Sequence, residues 1–204
     1  MIRHTSVGVP KGICYGWTDV PTAATFEQEA AVTKKNLEEM LHGKTFDMVY
    51  SSPLSRASKL AAFCGYPYPK LDSRLKEMFM GDWEMRSYDE IAKTDPHILK
   101  WYDDFMHLAA TNGESFPQLY ERVAEFLDEL KKQPYERVAI FAHGGVLICG
   151  GVYAGLFPLE NCFSHHVEYG GIQICHILTP QVRTLQFLND FLASFHGFHI
   201  QRNQ

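Results

Sequence analysis

Apolar residues along this chain follow two different periods. Short β-rich runs, Met1-Ile2, Phe46 to Ser51 and Val138 to Ala142, alternate with stretches in which apolar residues recur every three or four positions, as they do on the buried face of a helix. Thr25 reads as an N-cap with Glu27, Gln28 and Glu29 in the first turn, opening a helix through about Leu41 that Gly43 ends. Ser51-Ser52-Pro53 reads as strand end, N-cap and first helical position of a second helix continuing to Gly65. Residues 66–74 are predicted to be a connection and a short strand, and Tyr88 to Ala110 an aromatic-rich helical cap whose second helix starts at Asp95-Pro96. Trp101, Tyr102 and Phe105 are its expected packing residues, and Asn112-Gly113 breaks it. Ser115 caps a helix whose stripe is Leu119, Val123, Phe126, Leu127 and Leu130. After the strand Val138 to Ala142 come His143, Gly144-Gly145 and a helix through Val146-Leu147-Ile148, and then two alternating stretches, Asn161 to Leu178 and Val182 to Leu188, that read as further strands.

Strands alternating with helices predict an α/β fold with a mostly parallel sheet. Two of those strands end in histidine, at His4 and at His143, and ligands of open α/β sheets bind beyond the carboxyl ends of the strands. If the two strands are neighbours, both imidazoles enter one crevice. Gly144 lets main chain approach a bound group at a helix N-terminus, and Arg56 in the first turn after Ser51-Ser52-Pro53 combines a guanidinium fork with a helix dipole. The crevice is therefore a candidate anion site. The irregular stretch Thr5 to Thr25, with Tyr15 and Trp17, is long enough to shape a pocket beside it. Glu77, Asp82 and Glu84, near Phe79 and Trp83, are candidate proton donors among which the residues alone do not choose.

Composition narrows the classes. A chain of 204 residues, 46% hydrophobic and 13% aromatic, supports a single domain over residues 1–204, with the cap as an insertion at about 86–112. No run of 18 or more apolar residues and no secretory signal is present, which predicts a cytoplasmic protein without a membrane partner. Five cysteines without a C-x-x-C pair read as buried thiols, and His165, His166, His176, His196 and His199 lack acidic or cysteine companions at metal spacing, so neither a metal nor another cofactor is expected. A net charge of -5 and the lack of a basic run disfavour nucleic acid as partner. The oligomeric state is left open.

Taken in order, Arg3-His4, Ser51-Ser52-Pro53-Leu54-Ser55-Arg56-Ala57, Leu75-Lys76-Glu77, Gly81-Asp82-Trp83-Glu84, Gly113-Glu114-Ser115 and Ala142-His143-Gly144-Gly145 resemble the histidine phosphatase superfamily, the phosphoglycerate-mutase-like proteins, over about residues 1–190. The resemblance implies a three-layer α/β/α sandwich with a small helical cap. It also implies a metal-independent phosphomonoesterase acting on a small phosphorylated substrate, with His4 as nucleophile, Arg3, Arg56 and His143 around the phosphate, and Glu77 as proton donor. The loop Lys11 to Pro21 looks like that of the alpha-ribazole phosphatases, which act late in cobalamin nucleotide-loop assembly. Alternatives within the family are a sugar-phosphate phosphatase or a phosphoglycerate mutase, though this chain is short of segments resembling a mutase lid; an inactive phosphate-binding module is the alternative of another class. Two positions depart from the family pattern. Thr5 stands where glycine usually follows the histidine, which matters if that position takes a positive φ, and Met85 stands where glycine commonly follows Trp-Glu. Only Met1 and Ile2 precede Arg3-His4, so either the first strand is short or residues precede Met1.

Overall fold

The computed structural model of the protein describes residues 1–177. In chain order these form β1 (Ile2–Arg3), α1 (Phe26–Leu41), β2 (Met48–Ser51), α2 (Ser55–Phe63), β3 (Lys70–Leu71), α3 (Tyr88–Thr94), α4 (His97–Asp103), α5 (Phe116–Leu130), β4 (Val138–Ala142) and α6 (Gly144–Tyr153). The strands lie in the order β1-β4-β2-β3, and every pairing between them is parallel. The two histidine-bearing strands are therefore neighbours. Arg3 lies opposite Ala142, so His4 and His143 leave the sheet side by side at its carboxyl edge.

Period-two alternation in the central strand sorts the core into layers. Ala139 and Phe141 of β4 join Ala30 and Leu37 of α1 and Leu60 and Ala61 of α2 on one face, while Ile140 and Ala142 join Leu119, Val123, Phe126 and Leu127 of α5 and Val146 and Leu147 of α6 on the other. The result is the expected α/β/α sandwich. Each fully buried Leu or Phe contributes about 1.5–3 kcal/mol relative to exposure, so both faces hold β4, and with it His143, in place. A third cluster, Cys14, Met80, Trp83, Ile91, Ile98 and Ala110, forms where α3 and α4 pack on the turn at Gly81–Trp83. Trp101 meets Trp83 edge to face at 5.5 Å, and Trp83 Nε1 donates to Asp95 Oδ2 at 2.8 Å. The capping box of Ser87 and Glu90 starts α3.

Three local expectations need correction. Helix α2 begins at Ser55, not at Pro53, because Ser52 Oγ accepts from Leu54 N at 3.2 Å and the helix N-terminus is capped from a distance, Asp19 Oδ1 accepting from Ser55 N at 2.8 Å. Arg56 remains in its first turn. Thr25 occupies the N-cap position of α1, but its hydroxyl donates to Glu29 Oε1 at 2.6 Å instead of capping the main chain. The stretch predicted as a strand from Asn161 to Leu178 is, over its described residues to 177, a 3-10 turn at Leu159–His165 followed by irregular chain, with one antiparallel bridge between Ile2 and Ile172. Main-chain bonds flank that bridge, from Gly170 N to His4 O, Arg3 N to Gly171 O and Gln173 N to Met1 O, and Gly170 takes the left-handed φ of 70°. The stretch Val182 to Leu188 and the histidines at 196 and 199 lie outside the described residues.

Leu60 is fully buried on the helix that carries Arg56. Leu60→Ala is expected to lower stability by about 2–5 kcal/mol in urea unfolding, the range for truncating a core leucine. A change within experimental error would show that this face does not hold α2.

Candidate active site

His4 is 3% exposed, and its ring lies 5.1 Å from that of the wholly buried His143. Hydrogen bonding assigns the two imidazoles different roles. His4 Nδ1 donates to its neighbour's carbonyl, Thr5 O, at 2.7 Å, which leaves Nε2 with a free lone pair. Ser52 Oγ accepts from Leu54 N and has no other acceptor among the described residues, so we assign its proton to His143 Nε2, 2.8 Å away. His143 Nδ1 is then an N–H donor, and it is buried with no protein partner. Burial, followed by the nearby Arg56 and then Arg3, pushes His4 from its ordinary value of 6.5 down to about 3, against the opposing effect of the Thr5 bond. Burial, His4 and Arg56 push His143 well below 6.5. Both rings are neutral at neutral pH.

The cations around them are held by carbonyls. Arg3 Nη1 donates to Val167 O at 2.6 Å; Arg56, fully buried, donates through Nη1 to Thr18 O at 3.0 Å and through Nη2 to Gly16 O at 2.6 Å. Among the described residues neither forms a salt bridge, and the Nε of each is buried without a partner. Gly144 packs along Arg3: a side chain there would start 3.5 Å from the guanidinium carbon. Gly144 opens α6, a helix whose first-turn N–H groups lack partners within the helix.

Glu77 faces this cluster from the turn that follows Leu75. Its Oε2 accepts from Gly145 N at 3.2 Å and its Oε1 from Met78 N at 2.9 Å. A Cβ at position 145 would fall 2.5 Å from Glu77 Oε1, so a side chain there displaces the carboxyl group. Behind it, Arg122 of α5 donates to Arg74 O at 2.6 Å, Lys76 O at 2.7 Å and Glu77 O at 2.9 Å while pairing with Glu114 at 2.7 and 2.8 Å. Glu114 Oε2 also accepts from Phe79 N at 3.1 Å. The Gly113-Glu114-Ser115 motif thus holds the segment that carries Glu77. The other two candidate acids are elsewhere: Asp82 accepts from Asn112 Nδ2 at 2.8 Å, and Glu84 accepts from Gly16 N, Trp17 N, Thr18 N and Met80 N between 2.8 and 3.1 Å. Burial alone would raise Glu84, but the bonds from Thr18, Gly16 and Trp17 outweigh it and hold the carboxylate below its ordinary range. Glu84 therefore fixes the loop of residues 11–21 as a permanent anion.

All six residues expected at the site, Arg3, His4, Arg56, Glu77, His143 and Gly144, come together. Ser52, Arg122, Gly145 and Tyr169 join them without having been given a site role from the sequence, since the contacts that decide it span 68 residues for Gly145 and 91 for Ser52. Thr5 causes no strain, since its φ is not positive; Met85 does adopt φ 61°, so this chain places a side chain in a conformation that glycine takes more readily. No group of three or more His, Cys, Asp or Glu side chains that could hold a metal occurs among the described residues. His165 stacks on Phe157, and His166 pairs with Glu168. No helix among the described residues is long and apolar enough to cross a membrane.

A parallel sheet that presents two neutral histidines, two arginines with no salt bridge among the described residues and a carboxyl group at its carboxyl edge defines an α/β protein with an anion-binding site. The chain belongs to the histidine phosphatase superfamily (branch 1), whose profile matches residues 1–190. It is 34% identical over 196 residues to the adenosylcobalamin/alpha-ribazole phosphatase of Escherichia coli (strain K12), covering 93% of this chain and 94% of that one. To the protein of the same name from Salmonella typhimurium it is 31% identical, over 69% and 74% of the two chains. The crystal structure of the alpha-ribazole phosphatase from Shigella flexneri superposes with a TM-score of 0.74 at 29% identity, over 87% of this chain and 94% of that one.

The histidine environment generates a pH signature. Because folding lowers both imidazole pKa values, the unfolded chain binds more protons between about pH 3 and 6.5, and stability contributed above pH 6.5 is lost as pH falls towards 3. Nitrogen-15 NMR is expected to show both rings neutral at pH 5.5, with the His4 proton on Nδ1. A ring titrating near 6.5 would contradict this.

Proposed function

We propose that the protein is a metal-independent phosphomonoesterase that works through a phosphohistidine at His4. The observation that carries this reading is a buried and a half-buried guanidinium group, each with a buried unpartnered Nε and no carboxylate partner among the described residues, set beside the free lone pair of His4 Nε2 and the unpartnered N–H of His143. An unsatisfied buried donor costs roughly 1–3 kcal/mol, and more when charged, so these groups favour an anion that fills their vacancies. A phosphoryl group does so with its equatorial oxygens, and catalysis is then mainly positioning and charge stabilisation.

In the first half-reaction the Nε2 lone pair of His4 attacks phosphorus, the P–O ester bond breaks, and Glu77 in its acid form protonates the departing alkoxide. In the second, the Glu77 carboxylate takes a proton from water as that water attacks phosphorus; the N–P bond breaks and the electron pair returns to Nε2. Arg3, Arg56 and His143 bind the transferring group, and Gly144 brings the start of α6 alongside it. Gly145 and Arg122 aim and mount Glu77.

For the substrate, the similarity to alpha-ribazole phosphatases over nearly the full chain supports alpha-ribazole 5'-phosphate or a related cobalamin precursor. Five free thiols, four of them buried, support a cytoplasmic location, where such thiols stay reduced. We further read residues 1–204 as one domain, with α3 and α4 as a cap inserted at about 86–112.

The test is turnover of a phosphoester panel with chelator present. Alpha-ribazole 5'-phosphate is expected to exceed sugar phosphates and 3-phosphoglycerate in kcat/KM, and equal low rates on all would refute the substrate assignment. His4→Ala is expected to lower kcat by roughly 10³-fold or more, and His143→Ala, which removes one donor to the transition state, by roughly 10²- to 10³-fold. Full activity in the His4→Ala protein would sink the mechanism. Gly145→Ala, by displacing the Glu77 carboxyl, is expected to lower kcat with little change in KM; wild-type kcat would show that Glu77 does not act from this position.

A further inference from the structure

Two tyrosines not used in the chemistry above meet over the site. The Tyr15 ring lies 5.4 Å from the Arg56 guanidinium carbon, the Tyr169 ring 4.0 Å from that of Arg3 and 5.5 Å from the His4 ring. Their hydroxyl oxygens are 3.0 Å apart. The pair therefore makes a bar running from above one anion-binding guanidinium to above the other, with His4 beneath its Tyr169 half. Tyr15 is half-buried and Tyr169 is 38% exposed, whereas Arg56, His4 and His143 are buried, so the bar stands between the site and solvent.

The main chain on both sides of the bar is fixed. Cys14 exchanges hydrogen bonds with Arg86 and Met85, and Gly16 donates to Glu84 and accepts from Arg56, on either side of Tyr15. On the other side Gly170 N donates to His4 O, Arg3 N donates to Gly171 O, Thr33 Oγ1 donates to Gly170 O, and Arg3 holds Val167 O. Opening the bar is consequently a rotation of two phenol side chains, with no loop needing to move. Burial, followed by the bond to Tyr169, raises the Tyr15 phenol well above its ordinary value, so the bar is joined by a neutral O–H···O bond at neutral pH.

We propose that the Tyr15–Tyr169 hydroxyl pair is a gate that can stay shut over free inorganic phosphate but must part for a phosphate bearing an organic group, so that these two residues set the preference between phosphoester and phosphate. This rests on the reading of the site as a phosphate pocket. A phosphoryl group held by both guanidinium groups lies under the bar, and an ester's alcohol portion has to leave the pocket past it. Breaking one neutral hydrogen bond changes an equilibrium roughly 2- to 10-fold, which sets the size of the effect.

The experiment measures, by calorimetry, the dissociation constants of inorganic phosphate and of non-hydrolysable phenylphosphonate for the wild-type protein, Tyr15→Phe and Tyr169→Phe. Each phenylalanine keeps its ring over the arginine and removes only the bond between hydroxyls. Both variants are expected to bind phenylphosphonate roughly 2- to 10-fold more tightly with phosphate affinity unchanged. An unchanged ratio of the two constants, or an equal shift in both, overturns the gate. Binding that behaves as expected in a protein that hydrolyses no phosphoester would leave the gate standing and defeat the phosphatase reading. If neither anion binds the wild-type protein, both fail.

Discussion

Positive charge held without a counter-charge is the constraint on which the site depends. Arg56 is buried and Arg3 partly so, and the carbonyls of Val167, Thr18 and Gly16 that hold them align a guanidinium but do not neutralise it. The same two cations help keep His4 and His143 unprotonated, so one arrangement both attracts an anion and preserves a nucleophile. Carboxylates stand nearby, yet each is committed elsewhere: Glu84 to the loop amides, Asp19 to the start of α2, and Glu114 to Arg122. Glu77 turns its carboxyl group towards the cluster, where it meets the first turn of α6.

The fold serves this constraint through strand order. Placing β1 beside β4 puts His4 N in hydrogen-bond reach of Ala142 O, at 3.0 Å, which fixes the spacing of the two rings through main chain. The sandwich around β4 supplies rigidity, since its side chains alternate into two separate apolar clusters. The loop of residues 11–21 acts as a third support, because its carbonyls hold Arg56 while its amides hold Glu84. Site geometry therefore depends on residues that never approach the reacting atoms.

The parts of this design that local chemistry determines were readable in the chain. A β-rich run ending in histidine and glycine specifies where a ligand meets a parallel sheet, and the five functional side chains stand in motifs whose order matches one superfamily. What was not readable depends on distant partners. The start of α2 shifted because Asp19, thirty-six residues earlier, replaces the local cap, and Ser52 was free to serve His143 instead. The alternation after Asn161 suggested a full strand, yet the segment that bonds to β1 is the short stretch from Gly170 to Gln173, with one bridge to Ile2. Among three acids close in sequence, Glu77 could be chosen by resemblance but not by spacing; what separates them physically is which amides each one meets. Tyr169 carried no signal at all, because its relation to Tyr15 spans 154 residues.

Phosphoryl transfer in this site comes down to a single nitrogen atom. Thr5 O occupies the Nδ1 proton of His4, so phosphoryl transfer has only Nε2 available. The direct measurement is rapid alkaline quench of the protein during turnover of a phosphorus-32 ester, followed by peptide mapping and phosphorus NMR of the labelled site. Label on His4 at Nε2 is the result predicted. Label at Nδ1, label on another residue, or turnover with no trapped phosphoryl group would contradict it.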